Sequence, residues 1–152
     1  MSLIANGRPP RPDEIGDVVQ SVDFFPVVDI EAVRGFVRID GSVTDSRLAQ
    51  IVMEETLDVM RLLEPLTHKA SSLDELSDMT VNGQPAMQIW YFSAIANGVG
   101  AKVCEKYRNY DTTNKGHDKA VELSATIDEY RRNKMWAIAQ MQGRNQTVVE
   151  LI

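Results

Sequence analysis

Apolar residues recur at helical spacing in successive stretches of this chain, and most of these stretches carry their own start and stop signals. Asp29 is placed to cap a short helix over 30–37, with Ile30, Val33 and Val37 on one face. Thr44 is the N-cap of a second helix, about 45–63, with Asp45 in the first turn, where the helix dipole favours a negative charge. Its apolar stripe is Leu48, Ile51, Val52, Val59, Leu62 and Leu63. Glu54, Asp58 and Arg61 point away from it, and Pro65 ends or kinks the helix. Pro85 opens a third helix, about 85–108, whose first half from Ala86 to Ala101 is apolar nearly all round, as for the central helix of a bundle. Ala94, Gly98 and Ala101 line one side and let a neighbour approach closely. Gly98 and Gly100 each cost about 1 kcal/mol of helix propensity, so their smallness is expected to serve packing.

A fourth helix is expected over about 117–142, after an Asp111–Gly116 loop, with Gly143 as its stop. Ala120, Leu123, Ile127, Tyr130, Ala137 and Met141 form its inner stripe. Trp136 falls on the opposite side, where a large aromatic serves as a contact anchor. Asp40–Gly41 reads as a turn, and Phe24-Phe25-Pro26-Val27-Val28 as an apolar patch tying the N-terminal stretch to the body. Residues 65–84 leave a loop and a hairpin open, with Val81-Asn82-Gly83 as a turn signal. Residues 1–23, with Gly7, Pro9, Pro10, Pro12 and Gly16, read as a flexible arm. The last residues, Gln146-Thr147-Val148-Val149-Glu150-Leu151-Ile152, are β-prone and apolar, and are expected to dock on the body or on a neighbour. The reading is thus all-α: a bundle of about four helices over 24–143, a flexible N-terminal arm over 1–23 and an extended C-terminal tail over 144–152.

The length of 152 residues suits one domain. A chain of this size buries roughly 70% of its unfolded surface and needs no covalent staple. With 22 acidic against 16 basic residues, the net charge of −6 gives no general attraction to nucleic acid. A single cysteine, Cys104, forms no disulfide within the chain, and no apolar run reaches the length of a membrane span. The start, Met1-Ser2-Leu3-Ile4, lacks the features of a signal peptide, so synthesis in a cytoplasm is expected.

Chemistry-bearing motifs are nearly absent. There is no phosphate-binding glycine loop, and Asn97-Gly98-Val99-Gly100 is too helical to serve as one. His68 and His117 have no partners at metal spacing and read as solvated loop residues, so no metal and no cofactor is expected. Cys104 sits mid-helix as a small apolar residue. The carboxylate pairs Glu54–Glu55 and Asp128–Glu129 read as solvated helix faces. The basic residues Lys102, Lys106, Arg108, Lys115, Lys119, Arg131, Arg132 and Lys134 read as surface partners of Glu105, Glu122, Asp128 and Glu129. No enzyme is expected.

Four stretches carry a resemblance to a known family. They are Arg38-Ile39-Asp40-Gly41-Ser42-Val43-Thr44 followed by Arg47-Leu48, Tyr107-Arg108-Asn109-Tyr110-Asp111-Thr112-Thr113, Glu129-Tyr130-Arg131-Arg132 with Trp136-Ala137-Ile138, and Val149-Glu150-Leu151-Ile152. In this order and spacing, over about 24–152, the chain resembles the head completion or stabilisation proteins of temperate contractile-tailed phages and prophages (the gpL type). It departs from the pattern at Asn109, where an acidic residue is expected, and over 65–83.

The resemblance implies a helical virion protein that binds the portal as a ring once DNA is packaged, closes the head, and presents a surface to the next connector or tail protein. Trp136, Val148, Val149, Leu151 and Ile152 are the candidate subunit or portal contacts. Packaged DNA is expected to pass without specific binding, and no membrane is involved. The competing readings are a host-acting regulator or chaperone, which co-purification with portal would separate, and a nucleic-acid-binding bundle using the basic cluster, which the acidic total disfavours.

Overall fold

The computed structural model describes residues 16–39, 43–107 and 114–144, with the side chains of residue 107 and of 114–125 left out. It is mostly helical: α1 (Ile30–Val37), α2 (Asp45–Leu62), α3 (Ala86–Tyr107) and α4 (Asn114–Met141). Two small antiparallel ladders make it less than purely helical. In one, β1 (Val18–Val19) pairs with β2 (Val28–Asp29). In the other, β3 (Thr80–Val81) pairs with β4 (Gln84–Pro85). The Asp40–Gly41 turn, residues 111–113 of the expected loop, and the contact candidates Val148, Val149, Leu151 and Ile152 lie outside the described residues.

The capping chemistry read from the sequence is present. The Asp29 carboxylate accepts from the backbone N–H groups of Glu31 and Ala32 at 2.9 and 3.2 Å, and Thr44 Oγ1 accepts from Arg47 N–H at 3.4 Å. α2 stops at Leu62, and Pro65 follows in a short 3-10 turn. At the end of α4, Gly143 takes a positive φ of 69°. Its N–H donates to Gln140 O and the Arg144 N–H to Ala139 O, the paired bonds of a Schellman stop. α1 ends on Arg38 at φ 55°, a left-handed position where a side chain costs about 1 kcal/mol. Arg38→Gly is therefore expected to raise stability by roughly 0.5 kcal/mol in urea unfolding, after the added freedom of the unfolded chain is deducted.

Some boundaries differ from the sequence reading. Pro85 closes β4, because Ala86 N–H donates to Met79 O across the hairpin, and the helix starts one residue later. Asn114, Lys115, Gly116 and His117 belong to α4 and not to a loop. The undecided stretch 65–84 holds two 3-10 turns and the β3–β4 hairpin, whose Asn82–Gly83 corner has φ of 50° and 75° at successive residues, the geometry of a primed turn. Val18–Val19 runs beside β2, and Ile30 N–H donates to Asp17 O, so the chain already packs on the body by residue 17.

α3 is the centre. Every residue from Ala94 to Ala101 is buried. α4 runs antiparallel beside it, and Gly100 accommodates the close approach: a Cβ there would meet the Tyr130 ring at 2.8 Å. Ile127, Ala137, Ile138 and Met141 close the α4 side of the core. α2 contributes Leu48, Ile51, Val52, Val59 and Leu63, and α1 adds Ile30 and Val33. Phe25 is buried and stacks on Tyr91 with centroids 5.4 Å apart, which is how the Phe24–Val28 patch anchors the N-terminal stretch. Arg34 reaches Val43 O at 3.3 Å and Asp45 Oδ1 at 2.7 Å, joining α1 to the start of α2.

Candidate functional site

Two surfaces stand out, on different sides of the α3–α4 pair. The first is a charged groove of about 500 Å³ between α2, α3 and α4. Its floor is Glu55, 2% exposed. This corrects the reading of Glu54–Glu55 as a solvated pair: Glu54 is exposed, whereas Glu55 fills the gap in the apolar stripe between Val52 and Val59. The room for its carboxylate comes from Gly98, where a Cβ would sit 1.9 Å from Glu55 Oε1. Lys102 of α3 pairs with Glu55 at 3.3 Å and Glu54 at 3.8 Å, and Lys134 of α4 pairs with Glu55 and, at 2.5 Å, with Asp58. Arg61 joins Asp58 at 3.0 Å, and Arg131 pairs with Glu105.

Of the basic residues expected to be surface partners, Lys102, Arg131 and Lys134 are thus neutralised here, and Glu105 is the expected partner that one of them, Arg131, takes. The others are the α2 carboxylates Glu54, Glu55 and Asp58, which spacing along a single helix does not reveal. Burial works against the charge of Lys134, but hydrogen bonds to Asp58 and Glu55 outweigh it and hold its pKa above the ordinary lysine value. The Lys134 hydrogen bond in turn holds the Asp58 carboxyl below the usual range, over the opposing effect of burial.

The second surface contains Trp136. It is 39% exposed, with the Arg132 guanidinium carbon 5.1 Å from its ring centroid. It lines a groove of about 370 Å³ with Phe36 of α1 and Trp90 of α3, rimmed by Ser93, Asn133 and Gln140. Phe36 is 48% exposed and packs edge-on against Phe92 with centroids 5.9 Å apart. The sequence singled out Trp136 alone. Phe36 and Trp90 were legible as aromatics, but only the crossing of α1 over α3 brings them beside it.

The remaining candidates form no reacting constellation. His68 is exposed on a 3-10 turn and bonds Glu64 at 2.9 Å, and the His117 side chain is outside the described residues. Burial pushes the Cys104 thiol up, away from the thiolate a nucleophile needs. Among the described residues no group of His, Cys, Asp and Glu could hold a metal ion, and no helix is long and apolar enough to cross a membrane.

A small helical body whose α2–α3–α4 groove is lined by mutually paired charges, and which leaves Phe36 and Trp136 exposed on another face, is a protein of contacts. The family comparison says which: the chain belongs to the phage head completion proteins (GPL), whose family model matches residues 19–152. It is 29% identical over 148 residues to the head completion/stabilization protein of Escherichia phage P2, covering 94% of this chain and 88% of that protein. No solved structure matches it. The chain is therefore a virion structural protein of capsid assembly, from a family of head proteins and not a known enzyme class.

Proposed function

We propose that this protein completes the DNA-filled head by binding the portal as a ring and forming part of the head–tail connector, next to the following connector or tail protein. The observation that carries the reading is the family match, which runs from residue 19 to residue 152 and so takes in every described helix. A ring of identical copies needs head-to-tail contacts, in which one patch meets a different patch on the next copy. Trp136 supplies one such patch, and the apolar tail with Val148, Val149, Leu151 and Ile152 supplies the other, toward a neighbouring copy or the portal. Contacts that are weak one by one suffice, because each copy held on the portal raises the effective concentration of the next. The net charge of −6 keeps a channel wall from holding the phosphates of passing DNA. The protein works in the virion, at the connector, after synthesis in the host cytoplasm.

Electron microscopy of purified portal mixed with this protein tests the reading. Added density as a closed ring is the expected result, and bare portals at saturating protein would refute it. A chain ending at Gly143 is expected to stay folded by circular dichroism yet fail to complete heads. Normal head stability with that chain would remove the tail from the mechanism. The competing reading, a host-acting helical module, predicts co-purification with a host protein and none with portal.

A further inference from the structure

Asn-Gly occurs twice among the described residues, in opposite settings. In α3, Asn97 is 4% exposed, its Nδ2 donates to Ser93 O at 2.8 Å and to Ser93 Oγ at 3.2 Å, and Gly98 lies mid-helix, where its N–H belongs to the helical ladder. At 82–83 the same pair forms the tip of the β3–β4 hairpin. Every residue from Asp78 to Gln84 is exposed, the Asn82 side chain makes no hydrogen bond with any described residue, and nothing lies within 4 Å of where a Gly83 Cβ would be. Asn82 sits at φ 50°, a left-handed position that its side chain tolerates but does not favour. Above the Ala86 N–H bond to Met79 O, only the pairs Val81–Gln84 and Thr80–Pro85 close the tip, and Pro85 brings no N–H. A two-stranded hairpin this short is marginal in water, so its tip opens at little cost.

We propose that Asn82 is a site of spontaneous deamidation, with water as the only co-reactant, and that the reaction converts this hairpin tip with time. Once the tip opens, the Asn82–Gly83 peptide turns so that the Gly83 nitrogen faces the Asn82 side-chain carbonyl carbon. That nitrogen gives its proton to hydroxide and attacks. The new C–N bond closes a five-membered imide, the carboxamide C–N bond breaks, and ammonia leaves with a proton from water. Water then opens the imide. Addition at the side-chain carbonyl gives aspartate, and addition at the backbone carbonyl gives isoaspartate, whose main chain runs through the former side chain. Gly83 suits the first step, since no side chain crowds its nitrogen. Either product adds a negative charge to a chain of net charge −6. Isoaspartate also lengthens the backbone of a two-residue primed turn by one methylene, so the register of Val81 with Gln84 is lost. The α3 pair is spared, because its carboxamide is buried and bonded to Ser93 and its peptide is fixed in the helix.

The test incubates the full-length protein at mildly alkaline pH, folded in buffer and, in parallel, unfolded in guanidinium chloride. Peptide mapping by mass spectrometry follows both sites in aliquots. Asn82 in the folded chain is expected to convert within about tenfold of its rate in the unfolded chain, with isoaspartate the larger product, since opening the tip costs little. Folding should slow Asn97 by about a hundredfold or more. An Asn82 that stays intact in the folded chain while the unfolded sample converts overturns the proposal. So does an Asn97 that converts as fast as Asn82 in buffer, which would mean that reaction follows unfolding of the whole chain and not of the tip. The isoaspartate form, separated by ion exchange, is then compared with the unaltered chain by nuclear magnetic resonance. Loss of the cross-strand contacts of Val81 with Gln84, with the α2, α3 and α4 signals unmoved, is the expected result. Intact cross-strand contacts would show that the turn survives, and would overturn the conversion of the tip.

Discussion

Gly98→Ala will lower the free energy of unfolding by about 3 kcal/mol, yet in a chain already carrying Glu55→Ala the same change will raise it by about 1 kcal/mol. A methyl at Gly98 falls 1.9 Å from Glu55 Oε1, 2.2 Å from Cδ and 2.6 Å from Cγ. A free glutamate would swing aside at little cost. This one is 2% exposed and paired with Lys102 and Lys134, so moving it breaks two ion pairs around a desolvated carboxylate. Breaking a buried pair costs roughly 3–5 kcal/mol, against which the helix gains about 1 kcal/mol from alanine over glycine. With Glu55 shortened to alanine the obstacle is gone, and only the gain remains. Urea unfolding of the four chains of this double-mutant cycle gives both values. Equal effects of Gly98→Ala in the two backgrounds would show that the glycine is not there for the glutamate.

Lys134→Met is expected to cost about 3 kcal/mol at pH 7, since it leaves Glu55 buried beside Asp58 with only Lys102 near enough to compensate. The dependence on pH separates this from lost packing. In the natural protein the Asp58 carboxyl titrates below its ordinary value of 3.8. Its contribution is therefore complete above about pH 4 and is lost as the pH falls through the lowered folded value. Lys134 titrates above its ordinary 10.5, so its contribution is complete below that pH and is lost only in strong alkali, as the pH rises through the raised folded value. The gap between natural and Lys134→Met chains should thus be widest between about pH 5 and 9 and narrow toward pH 3, as the Asp58 carboxyl takes up its proton. Chemical denaturation at a series of pH values measures it, and a gap that stays constant into acid would mean that Lys134 acts through its methylenes alone.

The helices were legible because their signals are local. Asp29, Thr44, Pro65 and Gly143 act within one turn of where they sit, and each does in the structure what its side chain or backbone dictates. The short ladders were less so: two-residue strands carry no periodicity, and only the Asn82–Gly83 corner announced one of them. The burial of Glu55 had a readable trace. The α2 stripe skips from Val52 to Val59, and the position that completes it is a glutamate. Recognising it as buried also needed Gly98, which lies far along the chain and meets it only through packing. Trp136 was placed correctly on the outer side of α4 by helical phase, whereas the groove around it depends on α1 and α3 and so on tertiary geometry.

One bond near the end of α4 bears on how the protein withstands force. Gln142 donates its side-chain amide to Leu62 O at 3.0 Å, stitching the last turn of α4 to the last turn of α2. Tension on the chain past Arg144 therefore does not peel one helix away by itself. It is divided between two roughly parallel struts, cross-braced about one to two turns further in by Lys134 between Glu55 and Asp58. A body braced in this way would resist tension as a unit and give way in one step.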